Sequence, residues 1–284
     1  MYLNQINLKL QEMLEYRKTH DCKKMNLSEL RTLPNFNGVL ELEFLNKKFL
    51  MLNILNDDAV PLKYFWRQGY ELLSLRIWYA LTRSENSFFD VGAHTGIFSI
   101  IGNLNKQSNN IVSIEPFHLN FERLLSNLKL NNIFPNCIMG ACSSNDGIMN
   151  FEFNSFGGYH TSGGKVSEKK GTIIKVHKID SINTNKPVEA LKIDTEGHEL
   201  EVLIGAENTI KNHTPEIIFE INIESFDKCR KFLSNFNYQF YFIDEESNKI
   251  LDLKGDIKNF IRTEGSNCLA TTKFGLNEIN NLIV

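Results

Sequence analysis

The first apolar positions, Ile6, Leu8, Leu10, Met13 and Leu14, fall at roughly helical spacing and predict a helix over residues 1–20. Residues 38–53, GVLELEFLNKKFLMLN, alternate instead. Leu40, Leu42 and Phe44 share one face, and Asn46-Lys47-Lys48 makes the turn of a hairpin. Residues 66–83 return to helical spacing. From residue 87 onward, short apolar runs alternate with amphipathic segments. Strands are predicted at 87–91, 111–115, 136–141, 189–194, 216–221, 238–243 and 267–272, and helices at 96–104, 118–130, 199–211 and 226–235. Two more strand-like runs, 148–153 and 172–177, flank a glycine-rich stretch. This alternation predicts an α/β fold. A mostly parallel sheet with helices on both faces occupies 85–284, and a small α+β extension or cap occupies 1–84. Ligands bind such sheets beyond the carboxyl ends of the strands.

Composition narrows the partners. The net charge of -3 leaves no basic excess for a nucleic acid. The cysteines, Cys22, Cys137, Cys142, Cys229 and Cys268, are odd in number and contain no C-x-x-C pair. They argue against a disulfide framework and a structural zinc site, and read as small apolar residues in a reducing compartment. The N-terminus lacks the apolar core and cleavage site of a signal peptide, and the stretch around Phe49–Leu55 is too short to span a membrane. The expectation is a soluble, cytoplasmic protein. The apolar hairpin would serve as a lid or as a homodimer surface equally well.

The run SFFDVGAHTGIFSI, 87–100, places Asp90, Gly92 and Gly96 between a strand and a helix. The dinucleotide fingerprint has a glycine where Asp90 stands, and a carboxylate there would repel a pyrophosphate. A cofactor with a cationic amino-acid tail would be welcome. Gly92 is expected to let backbone approach the ligand, and Gly96 to let the helix pack on the strand. Glu115 ends the next strand and Pro116 forces a sharp exit, so its carboxylate is placed to accept from ribose hydroxyls. Together these signals fit S-adenosylmethionine better than NAD. His94, inside the turn, is expected to bond locally.

The segment LKIDTEGHELEVLIGA brings Asp194, Glu196, His198 and Glu199 to the end of a central strand, where a reactive methyl group would lie. Glu199 also suits a helix N-terminus. PEIIFEIN ends another strand in Glu220, a candidate for a substrate hydroxyl. The loop 154–165 offers Tyr159 and His160 as recognition groups and glycines that would let it close over an acceptor.

FFDVGAHTG, IEPFHLNFERLLSNLKLNN, VHKIDSI, LKIDTEGHELEVLIGA and PEIIFEIN occur in this order and resemble the FkbM family of S-adenosylmethionine-dependent methyltransferases, from about Tyr70-Glu71 to about Asn267. The resemblance implies a class I methyltransferase (Rossmann-like) sheet of seven strands, the last antiparallel. It implies methyl transfer to oxygen on sugars, glycans or polyketide-type metabolites. Asp90, Gly92, His94 and Gly96 would hold the methionine end, Glu115 the ribose, and Ser143 and Asn145 the adenine. Asn120 would be structural. Asp194, Glu196 and His198 would face the acceptor, a sugar, nucleotide-activated sugar or surface glycan unit. A sugar hydroxyl is a poor nucleophile, so the residues must remove its proton. Asp194 or His198 as base, or carboxylates holding Mg²⁺, would do so, and the metal-free route is slightly favoured. A dinucleotide oxidoreductase and a catalytically inactive scaffold are the competing readings.

Overall fold

A computed structural model of the chain describes residues 2–35, 37–104, 110–134, 136–152, 164–167, 171–260 and 266–282. The N-terminal part holds α1 (Tyr2–Thr19), α2 (Leu27–Arg31), the hairpin β1 (Asn37–Phe44) and β2 (Lys47–Ile54), α3 (Ala59–Arg67) and α4 (Leu72–Leu81). Then follow β3 (Ser87–Val91), α5 (Ile97–Asn103), β4 (Ile111–Glu115), α6 (His118–Leu130) and β5 (Asn136–Met139). Short strands β6 (Ala141–Cys142), β7 (Gly147–Glu152), β8 (Lys165–Ser167) and β9 (Thr172–His177) come next. The last part contains β10 (Val188–Ile193), α7 (Glu199–Ile204), α8 (Glu207–His213), β11 (Glu216–Glu220), α9 (Phe226–Ser234), β12 (Gln239–Asp244), β13 (Lys249–Asp252), β14 (Asn267–Thr271) and α10 (Leu276–Leu282).

The main sheet has eight strands in the order β13-β12-β14-β11-β10-β3-β4-β5. β14 runs antiparallel between β11 and β12, as expected of the last strand. β13 adds an antiparallel edge that the sequence reading did not foresee. Side chains alternate between two cores. Phe88, Ile111, Ala190 and Ile218 pack into one, together with Trp66, Leu73 and Trp78 of the N-terminal helices. Phe89, Val112, Leu191 and Ile217 pack into the other, with Val202 and Phe226 from the helices of the opposite face. Burial on both faces explains why these strands read as unbroken apolar runs.

The structure corrects three sequence boundaries. Residues 66–83 form two helices, because Gln68 and Glu71 adopt left-handed φ of 61° and 44°. α4 then begins without a local side-chain cap. The carboxylate of distant Glu245 accepts from the backbone N–H groups of Leu73 and Ser74, both at 2.8 Å. Residues 199–211 also divide. Asp180 accepts from the N–H groups of Asn208 and Thr209, at 2.9 Å each, and starts α8 separately. The strand predicted at 136–141 belongs to two sheets, since β5 pairs with β4 and β6 pairs with β9. The runs at 148–153 and 172–177 pair with each other in the second, four-stranded sheet.

The hairpin is fastened to α6 through side chains. Leu52 N–H donates to Asn127 Oδ1 and Leu50 N–H to Asn131 Oδ1, both at 2.8 Å. Asn127 Nδ2 also donates to the Thr95 carbonyl at 2.8 Å, so one fully buried amide joins the extension to the turn after β3. Asn127→Ala leaves two buried backbone groups without partners. It should lower stability by about 2–4 kcal/mol, as read by urea unfolding of the full chain.

Candidate active site

The chain runs β3, β4, β5 toward one edge and then returns to β10 and β11 on the other side of β3. The crevice at the carboxyl ends of β3 and β10 is therefore the topological switch point. Lys192 and Asp90 face each other in register, and Asp194 N–H continues the ladder to the Val91 carbonyl at 3.0 Å. Gly92, at φ 76°, turns directly above this junction. A Cβ there would come within 1.8 Å of the Asp194 carbonyl oxygen. The glycine has a second reason besides the expected approach of backbone to a ligand: two protein loops cross here. Gly96, at φ 99°, makes room for Leu124 of α6.

A cavity of about 950 Å³ opens over this junction. It lies near the upper end of the roughly 300–1,000 Å³ usual for small-molecule sites, enough for a cofactor and an acceptor together. Asp90, Gly92, His94, Glu115, Asp194, Glu196, His198 and Glu220 all line it, as do Lys192, Tyr70 and Glu71. The resemblance starts near Tyr70-Glu71, but neither residue, nor Lys192, was assigned a role from the sequence. A lysine inside the apolar run VEALKI was the available signal.

Lys192 is 1% exposed. Its Nζ lies 3.0 Å from Asp194 Oδ2 and 4.6 Å from the centroid of the Phe98 ring. Burial alone would lower its pKa, but Asp194 and Glu71 outweigh that and the net shift is upward. Asp90 is buried and accepts from Ser99 Oγ at 2.6 Å. Desolvation pushes its carboxyl up to about 6. Glu71 is raised by burial too, with Lys192 pulling it back. Its Oε2 accepts from Asn267 Nδ2 at 3.0 Å.

Glu115 is held at the tip of β4. Its Oε2 accepts from His94 N–H at 2.8 Å, and its Oε1 from Phe117 N–H at 3.0 Å and from Asn120 Nδ2 at 3.4 Å. Asn120 thus orients the carboxylate, and burial raises the pKa of Glu115. His94 sits at φ 50° with Nδ1 3.9 Å from Asp58 Oδ1. Its Nε2 is buried and finds no partner among the described residues. An unpartnered buried nitrogen on the wall of a polar cavity fits a ligand group.

Asp194, Glu196 and Glu220 meet at the far side. Glu196 occupies a left-handed turn at φ 53° and keeps an exposed edge. Partial desolvation, then the Asp194 and Glu199 carboxylates, push it up to about 7. Glu220 is raised well beyond the carboxylate range by burial, then by Asp194 and Glu196. Glu199 plays the structural part. Its Oε1 accepts from Gly197 N–H at 2.9 Å and from the N–H and hydroxyl of Thr195, and its Oε2 from Ser225 Oγ. This shapes the loop that carries Glu196 and His198.

Two assignments, Ser143 and Asn145, lie outside the cavity lining, and the first of them touches it through His198. Ser143 does not line the cavity; its hydroxyl bonds His198 Nε2 at 3.0 Å, and burial lowers the His198 pKa. Asn145 is exposed and bonds only to neighbouring Ser144 Oγ at 3.3 Å among the described residues. The chain turns into the second sheet after Gly140, so Gly140, Ala141 and Cys142 line the cavity there instead. Tyr159 and His160 lie outside the described residues.

Among the described residues no group of three His, Cys, Asp or Glu side chains is placed to hold a metal ion, and no helix is long and apolar enough to cross a membrane. None of the five cysteines forms a disulfide.

No curated protein matches the chain significantly. Among solved structures, the methyltransferase FkbM from Methylobacillus flagellatus KT is 19% identical, with 76% of this chain and 54% of that one covered and a TM-score of 0.44. The tRNA (uracil-54, C5)-methyltransferase of Pyrococcus abyssi, in complex with S-adenosyl-L-homocysteine, is 13% identical, with 82% and 43% covered and a TM-score of 0.45. The precorrin-6y C5,15-methyltransferase of Geobacter metallireducens GS-15 is 12% identical, with 72% and 88% covered and a TM-score of 0.42. The chain thus spans about half the length of the first two. Residues 90–240 match the methyltransferase FkbM domain. That match takes in more than half of the chain, including the glycine turn after β3 and the acidic tips of β10 and β11, and the chain therefore belongs to the FkbM family of S-adenosylmethionine-dependent methyltransferases.

Proposed function

We propose that the protein transfers a methyl group from S-adenosylmethionine to a hydroxyl of a sugar, nucleotide-activated sugar or surface glycan unit. The observation that carries this reading is that Asp194, Glu196 and Glu220 line one cavity together with Asp90, His94 and Glu115. The donor set fits the cofactor. Glu115 stands where a ribose diol would be held, the unpartnered His94 Nε2 meets a polar group, and the carboxylates suit a cationic sulfonium. When bound, S-adenosylmethionine supplies an electrophilic methyl group.

The three carboxylates divide the remaining work because their surroundings differ. Asp194 is tied to Lys192, with 3.0 Å between Nζ and Oδ2, so its carboxylate already has a partner. Glu220, protonated at neutral pH, donates a hydrogen bond and orients the acceptor. Glu196, half ionised near neutrality and open to solvent, takes the hydroxyl proton as the acceptor oxygen is alkylated. This reading takes Glu196 as the base in place of Asp194 or His198. His198, held by Ser143, positions the loop. The reading uses the metal-free route.

The direct test is release of S-adenosylhomocysteine over a panel of nucleotide sugars, oligosaccharides and hydroxylated metabolites. Turnover on a sugar hydroxyl, equal in Mg²⁺ and in EDTA, is expected. Loss in EDTA would replace the base with a metal, and turnover on non-sugar metabolites alone would overturn the acceptor class. A base must be unprotonated, so kcat/KM should rise with pH through about 7. Glu196→Gln should remove that rise and at least 100-fold of turnover while S-adenosylhomocysteine affinity, read by calorimetry, stays put. Glu115→Ala should do the reverse. It should weaken that affinity roughly 100-fold, about 2.7 kcal/mol, the scale of one or two hydrogen bonds to a charged acceptor.

A further inference from the structure

The cavity is divided by charge. Every acidic residue that lines it comes from residue 71 or later, whereas the part of the wall built by residues 23–69 holds Lys23, Lys24, Lys63 and Arg67 and no acid. Such a cluster is unexpected on a chain with net charge -3, because like charges repel. It is also a constructed feature. Lys23 and Lys24 are the central residues of a turn closed by Met25 N–H to the Cys22 carbonyl at 3.2 Å, with Cys22 buried beneath it. Arg67 clamps that turn to α3, donating from Nε at 3.0 Å and from Nη2 at 2.6 Å to the Met25 carbonyl. Lys63, on the same helix, reaches over the Tyr70 ring, with 5.7 Å from Nζ to the centroid. The turn and the helix thus present their ammonium groups to one space.

We propose that this wall binds a phosphoryl or diphosphoryl group carried by the acceptor, so that the substrate is a phosphorylated or nucleotide-activated sugar rather than a neutral glycan. The inference rests on the methyltransferase reading given above. The sulfonium end of the cofactor meets carboxylates, and the anionic end of the acceptor meets the lysines that residues 23–69 bring to the same cavity. Compact ammonium groups suit phosphate as point charges. The N-terminal extension is then the part of the chain that selects the substrate.

The test is calorimetric titration of inorganic pyrophosphate into the full chain saturated with S-adenosylhomocysteine. Wild-type protein should bind it, with affinity falling several-fold between 50 and 200 mM salt, roughly the range over which phosphate contacts are screened. Lys23→Gln/Lys24→Gln/Lys63→Gln should lose at least tenfold in pyrophosphate affinity and keep wild-type S-adenosylhomocysteine affinity. Lys23 and Lys24 are exposed, so the double variant Lys23→Gln/Lys24→Gln should melt as wild type does and show the same loss in smaller measure. Absent pyrophosphate binding, or equal binding by the variants, overturns the inference alone. So does a parallel loss of S-adenosylhomocysteine affinity, which would give the lysines to the cofactor's own carboxylate. Failure of wild-type protein to bind S-adenosylhomocysteine overturns the methyltransferase reading and this inference with it.

Discussion

The site depends on one buried ammonium. Lys192 sits between β3 and β11, opposite Asp90 in register and bonded to Asp194. Taking such a charge out of water costs several kcal/mol unless partners surround it. Here the partners are acids that line the same cavity, and each would be unfavourable there without the lysine. Asp90, Asp194 and Glu71 come from three separate segments of the chain, and a single Nζ makes their proximity tolerable. The close crossing of Gly92 over the Asp194 carbonyl then locks the two strand tips together.

The same arrangement gives carboxylates of similar intrinsic acidity different surroundings. Distance from Lys192 and degree of desolvation sort them. Asp194 is paired, Glu196 is poised near neutrality at the solvent edge, and Glu220 holds its proton. Glu199 belongs to the same segment but is consumed by backbone N–H groups, and so fixes the loop in place of acting on a ligand.

Much of this was legible in the chain. Strands buried on both faces announce themselves as apolar runs, and the acids at their tips stand out for the same reason. The glycine turn and Glu115 could be read because they occupy fixed places relative to those strands. What was not legible depends on contacts distant in sequence. The break between α3 and α4 is stabilised by Glu245, which lies far along the chain, and no local pattern shows it. Ser143 and Asn145 were placed near the adenine by resemblance alone, and the departure of the chain for a second sheet after Gly140 depends on β9, more than thirty positions further on, which no local pattern shows. Lys192 reads as a blemish in an apolar strand until its partners from residues 71 and 90 are beside it. Gly92 was recognised, but its close neighbour, the Asp194 carbonyl, is about a hundred positions away and was not.

The asparagines of α6 have a consequence for how the extension behaves toward other chains. A strand at the rim of a two-stranded sheet normally offers a row of free N–H and C=O groups, an invitation to pair with another strand. On β2, the N–H groups of Leu50 and Leu52 and the carbonyl of Leu50 already face the amides of Asn131 and Asn127, which imitate a third strand. The β2 edge is therefore shielded from edge-to-edge pairing by groups of the adjoining fold. Any strand that pairs with the hairpin would have to approach along β1, the rim that these amides leave alone.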